Sequence, residues 1–292
     1  MKEICVISGK GGTGKTTLTA AFASLAKNAV LADCDVDAAD LHLILSPDFK
    51  EKKDFYGLEL AVRDQDKCID CGICRERCRF DAIDEEFNIH AENCEGCAVC
   101  ELVCPVDAIT MRERLSGDAF ISDTRFGPMV HAALYPGEEA SGKLVAMVRE
   151  MGRNMAEQRG KDLVLIDGPP GIGCPVIAAI SGVSMVLIVT EPTLSGMHDL
   201  ERVLGVAKHF GIPAAVVVNK ADINPDNTMK IREFCAESGI KVLGELPYDD
   251  VATKAMIEEK TLVEYGDNPL AEISRDIWKQ VEVMLFDGEG PS

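Results

Sequence analysis

Aromatic side chains, long apolar runs and positive charge are all scarce in this sequence. Aromatics make up 5% of the 292 residues, and no run approaches the roughly 18 apolar residues that a membrane-spanning helix needs. Lys and Arg number 30 against 49 Asp and Glu, which leaves a formal net charge of −19. That excess opposes binding to nucleic acid, which relies on Lys and Arg against phosphates, and adsorption to anionic lipid. We therefore expect neither nucleic acid nor a membrane among the partners.

The N-terminal segment does not have the pattern of a secretory signal. Its apolar run Ile4–Ile7 is too short for a signal-peptide core and leads directly into a glycine-rich loop. We therefore expect a cytoplasmic protein. In that reducing compartment the twelve cysteines are not expected to form structural disulfides. Metal binding becomes the expected role of any clustered subset of them.

Short β-branched runs alternate with helix-like segments along most of the chain. The predicted strands are Ile4–Ser8, Ala29–Ala32, Leu163–Ile166, Met185–Val189 and Ala214–Val218, and the predicted helices are Lys15–Lys27, Gly196–Phe210, Asp226–Ser238 and Leu270–Leu285. Such runs indicate an α/β fold with a mostly parallel sheet covered by helices on both faces. The tail Gly288–Ser292 is expected to be disordered.

The region Val62–Thr110 interrupts this alternation and contains an internal repeat. Cys68–Asp84 reads CIDCGICRERCRFDAID, and Cys94–Thr110 reads CEGCAVCELVCPVDAIT. The copies align without gaps in their cysteines and in the Asp-Ala-Ile that follows, so we predict an inserted, duplicated unit. Ser116–Pro136 is predicted to be a pair of strands that returns the chain to the main domain. The predicted division is residues 1–61 and 113–292 for the main α/β domain and 62–112 for a small α+β insert.

A glycine-rich loop lies between the first predicted strand and the first predicted helix. It reads GKGGTGKT over Gly9–Thr16 and fits the phosphate-binding pattern G-x-x-x-x-G-K-[ST] in its required context. Glycines let backbone N–H groups converge on phosphate oxygens, and the following helix adds its positive N-terminal end. A glycine-rich turn that binds nothing is the alternative, which the strand and helix around the motif disfavour. The predicted ATP-binding residues of the loop are Gly9, Lys10, Gly11, Gly12, Thr13, Gly14, Lys15, Thr16 and Thr17.

The lysine directly after the first glycine is the residue on which a resemblance to a known family rests. Lys10 resembles the signature lysine of the deviant Walker A ATPases, which include MinD, ParA, Mrp and the nitrogenase iron protein. The resemblance implies a P-loop NTPase fold of the SIMIBI type and ATP hydrolysis that is weak without a partner. It also implies a homodimer formed with ATP, in which Lys10 touches the partner's phosphates. A solvated loop lysine is the alternative interpretation.

Further motifs match this family at the expected places. By resemblance, Lys15 reaches the β- and γ-phosphates, the Thr16 hydroxyl ligates Mg²⁺, and Asp35 orients the attacking water or a water bound to Mg²⁺. Asp167, in the segment DGPPG, resembles the family's Walker B carboxylate and would hold Mg²⁺ through water. Either carboxylate could instead cap a helix. Two residues resemble the family's adenine-side loops, Asn219 and Pro247. The predicted catalytic residues are Lys10, Lys15 and Asp35.

The insert carries two cysteine quartets with the spacing C-x₂-C-x₂-C-x₃-C. This is the pattern of bacterial ferredoxins with two [4Fe–4S] clusters, in which the fourth cysteine of each run ligates the other cluster. The predicted ligands are Cys68, Cys71, Cys74 and Cys104 for one cluster, and Cys94, Cys97, Cys100 and Cys78 for the other. Arg79 stands where the pattern has proline. Zinc is the alternative metal, although two complete quartets fit cubane clusters better.

The overall arrangement is similar to MinD-superfamily ATPases that contain an inserted ferredoxin domain. The resemblance implies an ATP-binding iron–sulfur protein in which nucleotide state is coupled to low-potential electron transfer to a partner protein, or to maturation of that partner's metal centre. One alternative is a spatial organiser like MinD or ParA with structural or sensing clusters. MinD-type action needs an amphipathic membrane helix rich in Lys and Arg, whereas Glu272–Gly288 carries acidic residues throughout. The other alternative is a P-loop amide ligase, for which no separate substrate domain is evident.

Overall fold

The computed structural model of the chain describes residues 1–138 and 141–286, so the predicted disorder of Gly288–Ser292 lies outside the described residues. The strands are β1 (Lys2–Ser8), β2 (Ala29–Asp33), β3 (Asp48–Arg63), β4 (Ile109–Thr124), β5 (Gly127–Leu134), β6 (Leu163–Pro170), β7 (Met185–Thr190), β8 (Ala214–Asn219) and β9 (Lys241–Leu246). The helices are α1 (Lys15–Leu25), α2 (Leu41–Leu45), α3 (Ile73–Arg77), α4 (Val99–Leu102), α5 (Ser141–Gln158), α6 (Cys174–Ile180), α7 (Leu194–His209), α8 (Pro225–Glu237), α9 (Val251–Ile257) and α10 (Pro269–Phe286).

The strands form one sheet in the order β3-β4-β5-β2-β6-β1-β7-β8-β9. From β5 to β9 each neighbouring pair is parallel, and β4 pairs antiparallel with both β3 and β5. The prediction of a mostly parallel α/β sheet is therefore confirmed. Because β1 lies between β6 and β7, the loop that follows it opens at the centre of the sheet edge, where the carboxyl ends of these strands meet.

Helices cover both faces of the sheet, as the continuous apolar strands predict. In β1, every residue from Glu3 to Ser8 is buried, which requires apolar cover above and below. One face packs on α5, α6, α7 and α8 through residues such as Val148 and Val203. The other face packs on α1, α2 and α10, where Phe22 and Trp278 have ring centroids 5.2 Å apart.

A long antiparallel hairpin at one sheet edge was only partly predicted. β4 and β5 account for the strand pair expected over Ser116–Pro136, but β4 begins earlier, at Ile109. Its partner β3 pairs with it continuously apart from bulges, from Asp48 opposite Asp123 to Arg63 opposite Ile109. Sequence reasoning missed β3 because its outer half, DFKEKKD, is exposed and charged rather than apolar. The pairing runs through the boundaries predicted at 61–62 and 112–113.

The cysteine-rich segment 64–108 is carried between the ends of β3 and β4. It contains α3, α4, a 3₁₀ turn over Ala91–Asn93 and a β-bridge between Ile83 and Ile89. Its buried apolar cluster is small and is completed by the hairpin: Ala61, Cys74, Ile83 and Ile109. We call segment 64–108 the cysteine module. So small a core contributes little of the free energy that ordering the segment costs.

Five further elements outside the cysteine module had no counterpart in the sequence prediction: α2, α5, α6, β9 and α9. In addition, no helix within residues 1–138 and 141–286 is long and apolar enough to cross a membrane.

Candidate functional site

The phosphate-binding loop connects the end of β1 at Ser8 to the start of α1 at Lys15. Gly12 and Gly14 have φ values of 77° and 87°, the left-handed region that side chains disfavour. Gly14 is also confined, because a Cβ there would lie 2.3 Å from Nδ2 of Asn219. That amide donates a 2.7 Å hydrogen bond to the carbonyl of Thr13. The loop is therefore braced by the end of β8.

Lys15 lies in a buried cage of carboxylates at the same sheet edge. Its Nζ is 3.0 Å from Oδ1 of Asp167 and 3.4 Å from Oδ2 of Asp35, and the hydroxyl of Thr16 donates a 2.7 Å bond to Oδ2 of Asp167. Burial by itself lowers the pKa of Lys15, but the charges of Asp167, Asp35 and Asp33 outweigh it and raise the pKa to about 12. Lys15, Thr16, Asp35 and Asp167 thus lie together, in positions where a magnesium–triphosphate group could be held.

Asp33 is a member of this group to which sequence reasoning gave no role. It is fully buried and accepts 3.1 Å hydrogen bonds from the backbone N–H groups of Asp35 and Leu41. Burial first, and then the charge of Asp167, raise its pKa well above the usual carboxyl range. The two carboxylates are close because Asp33 on β2 is in register with Asp167 on β6. The available signal was that each aspartate directly follows an apolar run.

Lys10 is paired within its own chain rather than free in solvent. Its Nζ is 3.1 Å from Oε2 of Glu191 and 3.3 Å from the hydroxyl of Thr193. Oε1 of Glu191 accepts from Nζ of Lys220, which is also 3.3 Å from the carbonyl of Gly12. Sequence reasoning did not identify Glu191 or Lys220, which lie just after β7 and β8 and whose pairing depends on strand order.

A cavity of about 230 Å³, partly open to solvent, lies beside the loop. It is lined by Gly12, Thr17, Asn219, Pro247 and Tyr248, among others. Asn219 and Pro247 therefore both border it, as an adenine site would require. The amide of Asn219 is already engaged, however, because its Nδ2 bonds to the loop and its Oδ1 accepts from the N–H of Lys220 at 2.9 Å. A second lone pair on Oδ1 remains for a base.

The cysteine module contains two cavities, and each is bordered by four cysteines. One is lined by Cys68, Cys71, Cys74 and Cys104, and the other by Cys78, Cys94, Cys97 and Cys100. Each of these cavities has a volume of about 20 Å³. This grouping has the same membership as the two quartets assigned from spacing. Across the described part of the chain, no three Cys, His, Asp or Glu side chains converge closely enough to hold one metal ion.

Hydrogen-bond donors approach two of these sulfurs. The N–H of Ala108 lies 3.2 Å from Sγ of Cys104, and Nη1 of Arg63 lies 3.8 Å from Sγ of Cys68. Donors of this kind stabilise thiolates and raise the reduction potential of a cluster that the thiolates hold. The surroundings of these two cysteines therefore suit a role as thiolate ligands. The spacing of the cysteines in the sequence did not indicate these donors.

Four cysteines lie outside the module. Cys5, Cys34 and Cys235 are buried, as expected for small apolar residues. Burial raises the pKa of the Cys5 thiol to about 12 and that of Cys34 well above its usual value, so neither is a ready thiolate. Cys174, in contrast, is exposed at the start of α6.

Comparison with known proteins identifies the family. A family model described as the CobQ/CobB/MinD/ParA nucleotide binding domain matches residues 4–263, so the chain belongs to this family. An uncharacterised protein of Methanocaldococcus jannaschii is 34% identical over 290 residues, which cover 97% of each chain. The septum site-determining protein MinD of Bacillus subtilis is 27% identical over 265 residues, which cover 87% of this chain and 79% of that protein.

Solved structures agree on the fold. The cell division ATPase MinD of Pyrococcus furiosus gives a TM-score of 0.59 at 20% identity, covering 96% of this chain and 98% of that one. This fold is that of a MinD-like P-loop nucleotide-binding protein.

The carboxylate cage generates a prediction about stability. Burial raises the pKa of Asp35 despite the nearby Lys15 ammonium, so the ionised carboxylate is less favourable in the folded chain than in the unfolded one. We expect Asp35→Asn to increase the free energy of unfolding at pH 7 by on the order of 1 kcal/mol. The gain should disappear as the pH falls below about 4, where Asp35 is protonated in both states.

Denaturant unfolding at pH 7 and at about pH 3, where an unfolded Asp is mostly protonated, measures this difference. Asp37→Asn is the matched control, because it removes the same charge from an exposed position two residues away. An equal gain in both variants, or a loss of stability for Asp35→Asn at pH 7, would contradict the burial argument.

Proposed function

We propose that this chain binds and hydrolyses Mg·ATP, and that its nucleotide state controls a module holding two [4Fe–4S] clusters. The single observation that carries the proposal is that the two cysteine runs exchange their fourth members between the cavities. Cys104 of the second run lines the cavity of the first run, and Cys78 of the first run lines the cavity of the second. Two cubanes that exchange their fourth ligand require that arrangement. Electron transfer to a partner protein is the favoured output, and maturation of that partner's metal centre is the other.

Residues of the loop and its cage have distinct roles in the ATPase half of the proposal. Lys15 would contact the β- and γ-phosphates, while Thr16 and Asp167 would hold the magnesium of the substrate. Asp35, 14% exposed in its side chain, would orient the attacking water at the mouth of the cage. Phosphoryl transfer depends mainly on such positioning and on charge balance. In a dimer formed with ATP, Lys10 would reach the partner's phosphates.

The cysteine module supplies the other half. When bound, the clusters would supply one-electron transfer at low potential. The chain's own contribution would be eight thiolates, the donors Arg63 and Ala108, and a hairpin that holds the module against Ala61 and Ile109. Because the module has so little apolar core, ligation would also provide the free energy that keeps it ordered.

A physical route joins the two halves. The segment that follows Asp33 leads into α2, and the carbonyls of Ile44 and Leu45 at the end of α2 accept hydrogen bonds of 3.0 and 2.7 Å from Arg125. Arg125 lies in the turn between β4 and β5, and β4 continues into the module. A shift of the segment after Asp33 on nucleotide binding would therefore act on the strands that carry the clusters.

A second candidate is favoured by the comparisons themselves. The relatives and structures named for a role are MinD proteins of septum placement and cell division, which fits a MinD- or ParA-like spatial organiser better than an electron carrier. In that case the clusters would be structural or sensing elements. The apolar face of α10, which includes Ile277, Trp278 and Val281, is packed on the sheet. Co-sedimentation with anionic vesicles or DNA in the presence of Mg·ATP would support the organiser.

Two matched substitutions test the cluster assignment. We expect anaerobically purified chain to hold about eight irons, and Cys104→Ser and Cys78→Ser each to lower this to about four, because each removes a ligand of a different cluster. Iron analysis and electron paramagnetic resonance of the reduced protein measure both. Cys174→Ser, an exposed cysteine outside the module, should leave the iron unchanged. Zinc in place of iron, or loss of the same signal in both variants, would contradict the assignment.

Coupling between the two halves is tested by its reciprocity. We expect Mg·ATP to shift the cluster reduction potential, and cluster reduction to change ATP affinity by the same factor, because linkage between two binding events is symmetric. Potentiometric titration with and without Mg·ATP, and ATP titration of the oxidised and reduced chain, measure the two sides. Lys15→Ala, which should abolish ATP binding, is the control. Unchanged potential and affinity would reject coupling while leaving both sites intact.

A further inference from the structure

Glu191 is a nearly buried carboxylate at the mouth of the phosphate-binding loop, and it is shared by two lysines. The residue is 8% exposed. One carboxylate oxygen faces Nζ of Lys10 at 3.1 Å, and the other accepts from Nζ of Lys220. Those lysines belong to different segments, the loop itself and the end of β8. This single carboxylate therefore offsets part of the positive charge of two ammonium groups beside the loop.

The backbone around Glu191 holds this carboxylate in place. Its carbonyl accepts a 2.8 Å hydrogen bond from the N–H of Thr193, and Gly196 packs so closely that a Cβ there would lie 2.4 Å from the same carbonyl oxygen. Thr193 in turn caps α7 by accepting from the N–H of Gly196 at 3.0 Å, and its hydroxyl also receives the Lys10 ammonium. A turn fixed in this way cannot easily withdraw the carboxylate when an anion arrives.

The carboxylate of Glu191 keeps its negative charge at neutral pH. Burial alone would raise the pKa of its carboxyl, but the hydrogen bonds and charges of Lys220 and Lys10 outweigh burial and lower it. An anion entering the loop therefore meets a fixed negative charge beside it and two lysines that are already paired. The negative charge of Glu191 and the pairing of the two lysines both oppose the binding of phosphates, and the repulsion grows with the charge of the ligand.

We propose that Glu191 is an internal counter-ion that competes with nucleotide phosphates for Lys10 and Lys220, and so sets the affinity of the loop and its discrimination between ATP and ADP. Glu191 is a positioning residue, because it acts on the ligand through the two lysines. This inference rests on the proposed binding of nucleotide at the loop. In a dimer formed with ATP, Lys10 is drawn from Glu191 towards the phosphates of the partner's nucleotide, and the carboxylate limits how readily that happens.

The test is the affinity of full-length, cluster-loaded Glu191→Gln for Mg·ATP and Mg·ADP, measured by anaerobic calorimetric titration. The amide keeps the shape and can still accept from the lysines, but it has no charge. We expect the Kd for Mg·ATP to fall by about threefold to tenfold, since about 1.4 kcal/mol corresponds to tenfold. The Kd for Mg·ADP should fall by less, so that the ratio of the ATP to the ADP affinity rises.

Glu201→Gln is the matched control, because it removes the same charge from an exposed position on α7. In a Lys10→Gln background, Glu191→Gln should have a smaller effect on ATP affinity, because one of the two lysines that it releases is missing. If Glu191→Gln does not fold, Glu191→Ala gives the same test with the same expected direction. Its unfolding midpoint establishes that the variant measured is native.

Two outcomes would overturn the inference. Weaker ATP binding by Glu191→Gln would mean that the carboxylate prepares the lysines for phosphate instead of competing for them. Equal changes in ATP and ADP affinity, or changes matched by Glu201→Gln, would mean a structural role or a general charge effect. Failure of the unaltered chain to bind Mg·ATP would instead reject the proposed function, so the two failures are distinguishable.

Discussion

The ion pair between Lys15 and Asp167 is the interaction on which the rest of the nucleotide site depends. Lys15 is 6% exposed and Asp167 is fully buried, so each charge is tolerated largely because the other is 3.0 Å away. Removing one partner of such a pair costs about 3–5 kcal/mol, because the remaining charge is left buried alone. The pair ties the first turn of α1 to the end of β6, and it thereby sets where the loop and the cage of carboxylates meet.

Around that pair, lysines and carboxylates are sorted into two groups by the order of the strands. Asp33, Asp35 and Asp167 surround Lys15 on the β2–β6 side, while Glu191 holds Lys10 and Lys220 on the β7–β8 side. Each of these three ammonium groups thus has a carboxylate partner from a neighbouring strand end. A nucleotide's phosphates would have to take over some of these pairings, so the site is balanced electrostatically before its ligand arrives.

The position of the cysteine module follows from the properties of a sheet edge. β3 is an edge strand, and its run of Lys50, Glu51, Lys52 and Lys53 is exposed, which discourages pairing with another chain. An edge hairpin can be lengthened without disturbing the parallel strands at the centre, and the module occupies the end of that hairpin. Its link to the nucleotide side runs through Arg125 and α2, which join the hairpin turn to the segment after Asp33.

The order of elements and the local chemistry could be read from the sequence, because those signals are short-range. Apolar runs predicted β1, β2, β6, β7 and β8, the glycine pattern predicted the loop before α1, and cysteine spacing predicted two groups of four. The exposed, charged outer half of β3 gave no comparable signal, and α2, α5, α6, β9 and α9 were missed. Which side chains meet across the sheet was decided by tertiary structure alone. Asp33 faces Asp167 because β2 pairs with β6, and Glu191 joins Lys10 to Lys220 because β7 lies between β1 and β8. Such contacts connect residues that are far apart in the sequence, and their geometry exists only once the strands are ordered.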